Sequence, residues 1–129
     1  MRRSALSLRA AACIEQRDDG CEWSIFIIND EPFALDRVDL LGFGHSFGGS
    51  GDFKAIETEI GRVAPGDWTR LWRDDDFEMR MYARISVSAQ QQQQELLADF
   101  PKLYRKKRNL PDFEPIGLPG LAVPFERVG

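Results

Sequence analysis

Residues 42 to 51 contain the one stretch of this chain that matches a catalytic motif. Gly44-His45-Ser46-Phe47-Gly48 fits G-x-S-x-G, the strand-to-helix turn that presents a nucleophilic serine in α/β-hydrolases. Such a serine needs a base, usually a histidine within hydrogen-bond reach. His45 is the only histidine and directly precedes Ser46, and neighbouring residues of an extended segment point to opposite faces. The motif therefore lacks a usable base.

The residues after Ser46 also disfavour a hydrolase. Gly48, Gly49 and Gly51 would each cost about 1 kcal/mol relative to alanine in the helix that the motif requires. A dinucleotide-binding pattern is broken as well, because Phe47 stands where G-x-G-x-x-G needs its third glycine. We therefore predict a glycine-rich loop between a third and a fourth strand and a protein that is not an enzyme. A small serine hydrolase using Ser46 is the alternative.

The cysteines and acidic residues do not suggest a disulfide, a metal or a cofactor. Cys13 and Cys21 flank the turn signal of residues 17–20. With Asp19-Gly20 as the turn, Cys13 lies opposite Phe26, about 17 Å from Cys21 and far beyond the roughly 7 Å limit for bridged Cα atoms. We expect two reduced, buried thiols. One histidine without a C-x-x-C motif disfavours zinc, and residues 74–76, three aspartates, lack the glycine and glutamate of an EF-hand loop.

Composition and length are typical of one soluble domain. The chain has 129 residues, 43% of them hydrophobic and 29% charged, which is enough for one core. The formal charge of -4 disfavours nucleic acid as the partner and favours a basic protein surface. The apolar residues near the N-terminus are interrupted by Ser7 and Arg9, and no apolar run is long enough to span a membrane. These features predict a cytoplasmic protein.

Alternating apolar and polar residues predict an all-β fold in the first two thirds of the chain. The first two strands form a hairpin, with Ala12 opposite Ile27, and Trp68 and Trp72 lie on one face of a later strand. Turn signals and the lack of intervening helices indicate an antiparallel β-sandwich of immunoglobulin-like architecture with about six to seven strands. The predicted strands are residues 4–15, 21–29, 36–41, 56–60, 68–72 and 77–87.

The pattern changes at Ser88, where residues 88–91 match a capping box and five glutamines, Gln90 to Gln94, follow. An apolar stripe with helical spacing predicts a C-terminal helix before an extended proline-rich tail. We therefore divide the chain into a β-sandwich domain, residues 1–88, and a helical and proline-rich extension, residues 89–129, which packs on the same domain or on a partner. The stripe consists of Leu96, Leu97, Phe100, Leu103 and Tyr104.

The candidate binding residues belong to three segments. The glycine-rich loop carries aromatic residues that we expect at the surface, residues 102–108 concentrate positive charge, and the proline-rich tail contains apolar residues that could anchor it. The function predicted from them is a non-catalytic interaction domain that binds a protein partner or forms a homodimer, with an anion-binding or nucleic-acid-binding module based on the basic cluster as a further alternative. The candidates are Phe43, Phe47, Phe53, Lys102, Tyr104, Arg105, Lys106, Lys107, Arg108, Phe113 and Phe125.

Overall fold

Two antiparallel five-stranded sheets make up the described part of the chain. The computed structural model describes residues 6–17, 20–47, 50–74, 80–100, 112–114 and 116–128, and none of these residues is helical. The strands are β1 (Leu8–Arg17), β2 (Gly20–Asn29), β3 (Leu35–Phe47), β4 (Ser50–Val63), β5 (Trp68–Asp74), β6 (Arg80–Ala89), β7 (Gln92–Phe100), β8 (Asp112–Phe113), β9 (Leu118–Pro124) and β10 (Glu126–Arg127).

The two sheets pack on one shared core. The first sheet has the order β5-β2-β1-β9-β8 and the second the order β10-β7-β6-β3-β4. Alternate residues face inward, because side chains of a strand point to opposite faces in turn. Trp23 and Ile25 of the first sheet belong to the same buried cluster as Met81, Ile85 and Phe100 of the second. The predicted all-β class and antiparallel pairing are confirmed.

The first hairpin is present, but its predicted register was wrong by two residues. Arg17 pairs with Gly20, the two residues between them lie outside the described residues, and Ala12 lies opposite Ile25 instead of Ile27. A shift of two residues keeps every side chain on its predicted face. Cys13 accordingly lies opposite Ser24, and it is buried with a free thiol.

The two tryptophans of β5 lie on opposite faces, contrary to the expectation that they share one. Trp68 pairs with Ile28 and Trp72 with Ile25, and the register shifts between these pairs. Leu71 is the extra residue of this β-bulge, and one inserted residue reverses the alternation of the strand. Trp72 therefore enters the core, whereas Trp68 packs on the outer surface of the first sheet.

The helix predicted after Ser88 was wrong over the residues that the structure describes. Gln92–Phe100 is strand β7, which pairs with β6 through a hairpin. Gln90 and Gln91 form its turn with φ of 54° and 62°, as a type I′ turn requires at both central positions. Leu96, Ala98 and Phe100 are buried at a spacing of two residues, as in a strand. Leu96 and Phe100 also fit the helical spacing from which the helix was predicted. Leu103 and Tyr104 lie outside the described residues.

The described residues of the glycine-rich segment are also extended strand and not a loop. Strand β3 continues through Phe47, β4 begins at Ser50, and only residues 48 and 49 between them are undescribed. Glycine lowers strand stability, but pairing with β6 on one side and β4 on the other holds residues 42–46 in the sheet.

The proline-rich tail supplies strands to both sheets. Strand β9 pairs with β1, and β10 pairs with β7 of the second sheet. Between them, Phe125 is 3% exposed and joins the shared core. No segment of the described residues is a helix that could cross a membrane.

Candidate functional site

A polar groove lies on the outer surface of the second sheet. Its volume is about 500 Å³, and strands β3, β4, β6 and β7 contribute to it. Concave surfaces of this size are the usual location of binding sites. The residues that line the polar groove are Arg37, Asp39, Leu41, Glu57, Glu59, Ser86 and Gln93.

Irregular pairing of β3 and β4 shapes the polar groove. Leu40 pairs with Thr58 and Gly42 with Ala55, so Leu41 of β3 faces two unpaired residues of β4. One of these is Glu57, whose φ of 54° places it in the left-handed region that residues with a β-carbon rarely adopt. Such a conformation costs on the order of 1 kcal/mol and persists only where surrounding pairing enforces it.

Carboxylates outnumber cations in the polar groove. The Nε atom of Arg37 donates to both oxygens of Asp39, at 3.1 and 2.9 Å, and its Nη2 lies 3.7 Å from Glu59. Glu57 is exposed, and within the described part of the chain it has no ion-pair partner. Three carboxylates against one guanidinium leave the lining with an excess of two negative charges.

The opposite wall of the polar groove carries no charge, and a hydrogen bond between neighbouring strands holds its side chains in place. Ser86 is 8% exposed, and its Oγ accepts a hydrogen bond of 2.9 Å from Nε2 of Gln93 on the neighbouring strand. An ion pair between Arg84 and Glu95 links the same two strands. The carboxylates on one wall and the neutral polar side chains on the other suit a ligand that carries both a cation and hydrogen-bonding groups.

The geometry of these side chains does not match a metal site or a hydrolase elbow. No group of three or more potential ligands among the described residues is arranged to hold a metal ion. The backbone at Ser46 pairs with Arg80 on one side and Gly51 on the other, and His45 pairs with Met81 and Asp52. The strand-to-helix turn that lifts a nucleophilic serine is therefore not formed, because the segment after it continues as β4 from Ser50.

Of the candidate binding residues, the three whose side chains the structure describes do not share one surface. Phe43 stacks on Trp72 with ring centroids 4.7 Å apart and packs against the core. Phe113 packs on the outer surface of the first sheet, and Phe125 is buried. Phe47 and Phe53 lie in the β3–β4 hairpin. The basic cluster, residues 102–108, lies outside the described residues.

Sequence reasoning missed the polar groove itself. Residues 56–60 are predicted as a strand, but the bulge that brings Glu57 beside Leu41 has no clear sequence signal. Arg37, Ser86 and Gln93 join the site only through the pairing of β3 with β6 and of β6 with β7.

No protein-family model matches this sequence, and neither a curated protein nor a solved structure shows significant similarity to it.

Proposed function

We propose that this chain is a non-catalytic protein-interaction domain, a β-sandwich of immunoglobulin-like architecture, that binds a basic segment of a partner protein in the polar groove. The observation that carries the proposal is the groove itself, a concavity of about 500 Å³ with excess negative charge on the outer surface of the second sheet. The architectural term describes two antiparallel sheets on a common core and implies no family.

The lining is complementary to a lysine or arginine side chain. Glu57 offers a carboxylate that no described cation neutralises, and Leu41 offers apolar surface for the aliphatic part of such a side chain. Arg37 holds Asp39 and Glu59 in place and excludes a second cation from that end. The ligand's polar backbone groups can then bond to Gln93 on the neutral wall.

The charge of the whole molecule supports the same partner. A net charge of -4 attracts basic surfaces and accelerates their association at low ionic strength.

A cytoplasmic location remains part of the proposal. The buried Cys13 thiol is free, and the reducing environment of the cytoplasm keeps thiols in this state.

The proposal is tested by titrating the isotopically labelled protein with an acetylated, amidated Lys-Lys-Leu-Lys-Lys peptide and recording amide chemical shifts. We expect shifts at residues 39, 57, 59, 86 and 93 that diminish as salt is added. Glu57→Gln should weaken binding about two- to fivefold, since an exposed ion pair contributes about 0.5–1 kcal/mol.

Glu126→Gln is the matched control, because Glu126 is exposed on the same sheet but outside the groove. It should leave the affinity unchanged. Shifts confined to other surfaces, or equal loss of affinity in both variants, would overturn the assignment of the polar groove.

A further inference from the structure

The first sheet carries an apolar cluster on its outer surface, which is unusual for a solvent-facing sheet. Ala11, Cys13, Phe26 and Ile28 are buried there, away from the shared core. Phe113, Ile116 and Leu118 of the tail pack against this cluster, as does Trp68 from the edge strand β5. The chain thus covers its own apolar surface from two directions.

Three residues at the β5 edge form what we call the aromatic–arginine patch: Phe26, Trp68 and Arg70. The edge of one ring meets the face of the other in the Phe26–Trp68 pair, with centroids 5.3 Å apart and planes at 90°. The Arg70 guanidinium carbon lies 5.9 Å from the centroid of the Phe26 ring. The bulge at Leu71 creates this arrangement, because Trp68 and Arg70 pair with the outward-facing Ile28 and Phe26.

Among the arginines of this surface whose side chains the structure describes, Arg70 differs from Arg9 and Arg73 in having no carboxylate partner in the described part of the chain. Arg9 contacts Phe113 in a similar way, at 5.4 Å, but also binds both oxygens of Asp30 at 2.6 and 3.0 Å. Arg73 lies 3.9 Å from a carboxylate oxygen of Glu22. Among the described residues, no carboxylate oxygen lies within 4.0 Å of Arg70, which is exposed.

We propose that the aromatic–arginine patch binds an acidic segment of a partner protein. A carboxylate of the partner accepts two parallel hydrogen bonds from the Arg70 guanidinium, whose orientation the Phe26 ring already restricts. An apolar neighbour in the same segment lies on Trp68. Tryptophan and arginine dominate the energetics of protein interfaces, because both combine a large contact area with directed hydrogen bonds.

A separate partner fits this surface better than a second copy of the chain. Its three side chains are far fewer than the roughly 20–30 residues that each subunit contributes to a stable dimer interface, so the patch suits a short segment of a partner. The patch also lies on the first sheet, whereas the polar groove lies on the second. The two proposed sites therefore require opposite charges in their ligands and can be tested independently.

The test uses the full chain and an acetylated, amidated Glu-Glu-Leu-Glu-Glu peptide, with the Lys-Lys-Leu-Lys-Lys peptide as the comparison. We expect the acidic peptide to shift the Trp68 indole N–H signal and the amides of residues 26, 68 and 70. The basic peptide should leave these signals in place. Arg70→Gln should weaken binding of the acidic peptide about fivefold or more, and Arg70→Lys should restore only part of it, because lysine lacks the planar fork.

Arg62→Gln removes another exposed arginine, which lies on the second sheet, and should not change the affinity. A spectrum of Arg70→Gln that is unchanged outside the patch shows that this variant folds. Binding that Arg70→Gln leaves intact, or no binding of the acidic peptide at all, would overturn the proposal. Sedimentation of the peptide-free protein as a dimer that Arg70→Gln dissociates would assign the patch to a second copy and would equally overturn it.

Discussion

Gly120 lies so close to Cys13 that a β-carbon added at position 120 would stand 2.7 Å from the Cys13 Sγ. The two residues pair directly across β1 and β9. The buried thiol occupies the space that a side chain at position 120 would need. A β-carbon at Gly117, the other tail glycine that the structure describes, would meet no atom within 4 Å.

Gly120→Ala should destabilise the protein. The added carbon would also stand 2.7 Å from the Ala12 carbonyl oxygen and 3.2 Å from the Cys13 Cα, and backbone atoms cannot move aside as a flexible side chain can. Overpacking of this kind costs about 1–3 kcal/mol. Urea denaturation monitored by tryptophan fluorescence measures the loss.

A double variant separates the two sources of that strain. Gly120→Ala combined with Cys13→Ala removes the clash with sulfur but keeps the clash with the backbone, so it should recover only part of the loss. A Gly120→Ala protein as stable as the parent would contradict the close packing of β9 on β1.

The Cys13 thiol should make stability depend on alkaline pH. Burial raises the pKa of Cys13 from 9.0 to about 11. As the pH rises, the unfolded chain loses the Cys13 thiol proton before the folded protein does. The contribution of this thiol to folding stability is therefore complete below pH 9.0 and is lost as the pH rises toward 11. Within that interval the free energy of unfolding should fall by up to about 1.4 kcal/mol per pH unit.

The measurement compares urea denaturation of the parent and Cys13→Ala between pH 8 and pH 11. All other groups titrate alike in both proteins, so the difference between their slopes isolates Cys13. Identical slopes would show that the thiol ionises as readily in the folded protein as in the unfolded one.

The strands were predictable wherever alternation and turn chemistry agreed. Residues 81–87 alternate between buried and more exposed positions, and the sheet follows this pattern. The Gln90-Gln91 turn was not predictable, because glutamine has no preference for positive φ and the capping box favours a helix locally. Pairing of β7 with β6 buries Leu96 and Phe100, and this tertiary gain outweighs the local preference.

Neither the polar groove nor the aromatic–arginine patch could be predicted from the sequence, and the reason is the same for both. Both depend on β-bulges, at Leu41 and at Leu71, which change the face of the residues that follow. A bulge adds one residue to a strand and leaves only a weak trace in the apolar pattern. Trp68 and Trp72, four residues apart, appeared to share a face for this reason.

Replacing Gln90-Gln91 by Asn-Gly should stabilise the β6–β7 hairpin. Both glutamines have positive φ, which costs residues with an ordinary side chain about 1 kcal/mol each, whereas Asn-Gly suits a type I′ turn. We expect the free energy of unfolding to rise by about 1 kcal/mol. Thermal unfolding followed by circular dichroism measures the change.

Gln92→Asn serves as the control for that substitution, because Gln92 is exposed in the strand just after the turn. It should be neutral or slightly destabilising, since asparagine is disfavoured in strands. A loss of stability in the Asn-Gly variant would indicate a different turn conformation.

Among the polar residues that the structure describes, Asn29 should be the one whose replacement lowers the free energy of unfolding most. It is 0% exposed, and its Nδ2 donates to the carbonyl oxygens of Phe33, Ala64 and Val63 at 2.9, 3.2 and 3.3 Å. Its Oδ1 accepts from the Glu31 amide at 2.9 Å. This one side chain therefore joins the end of β2 to the connection between β4 and β5.

Asn29→Ala should lower the free energy of unfolding by about 2–4 kcal/mol, since it removes three hydrogen bonds to buried or partly buried carbonyl oxygens and the acceptor of the Glu31 amide. Asn29→Asp should cost more at pH 7, because a carboxylate would face three carbonyl oxygens, and the extra cost should shrink in acid as that carboxylate is protonated. Urea denaturation at pH 7 and pH 4 measures both effects. Gln92→Ala removes an exposed amide and should change stability little at either pH, whereas equal losses in the Asn29 and Gln92 variants would contradict the role assigned to Asn29.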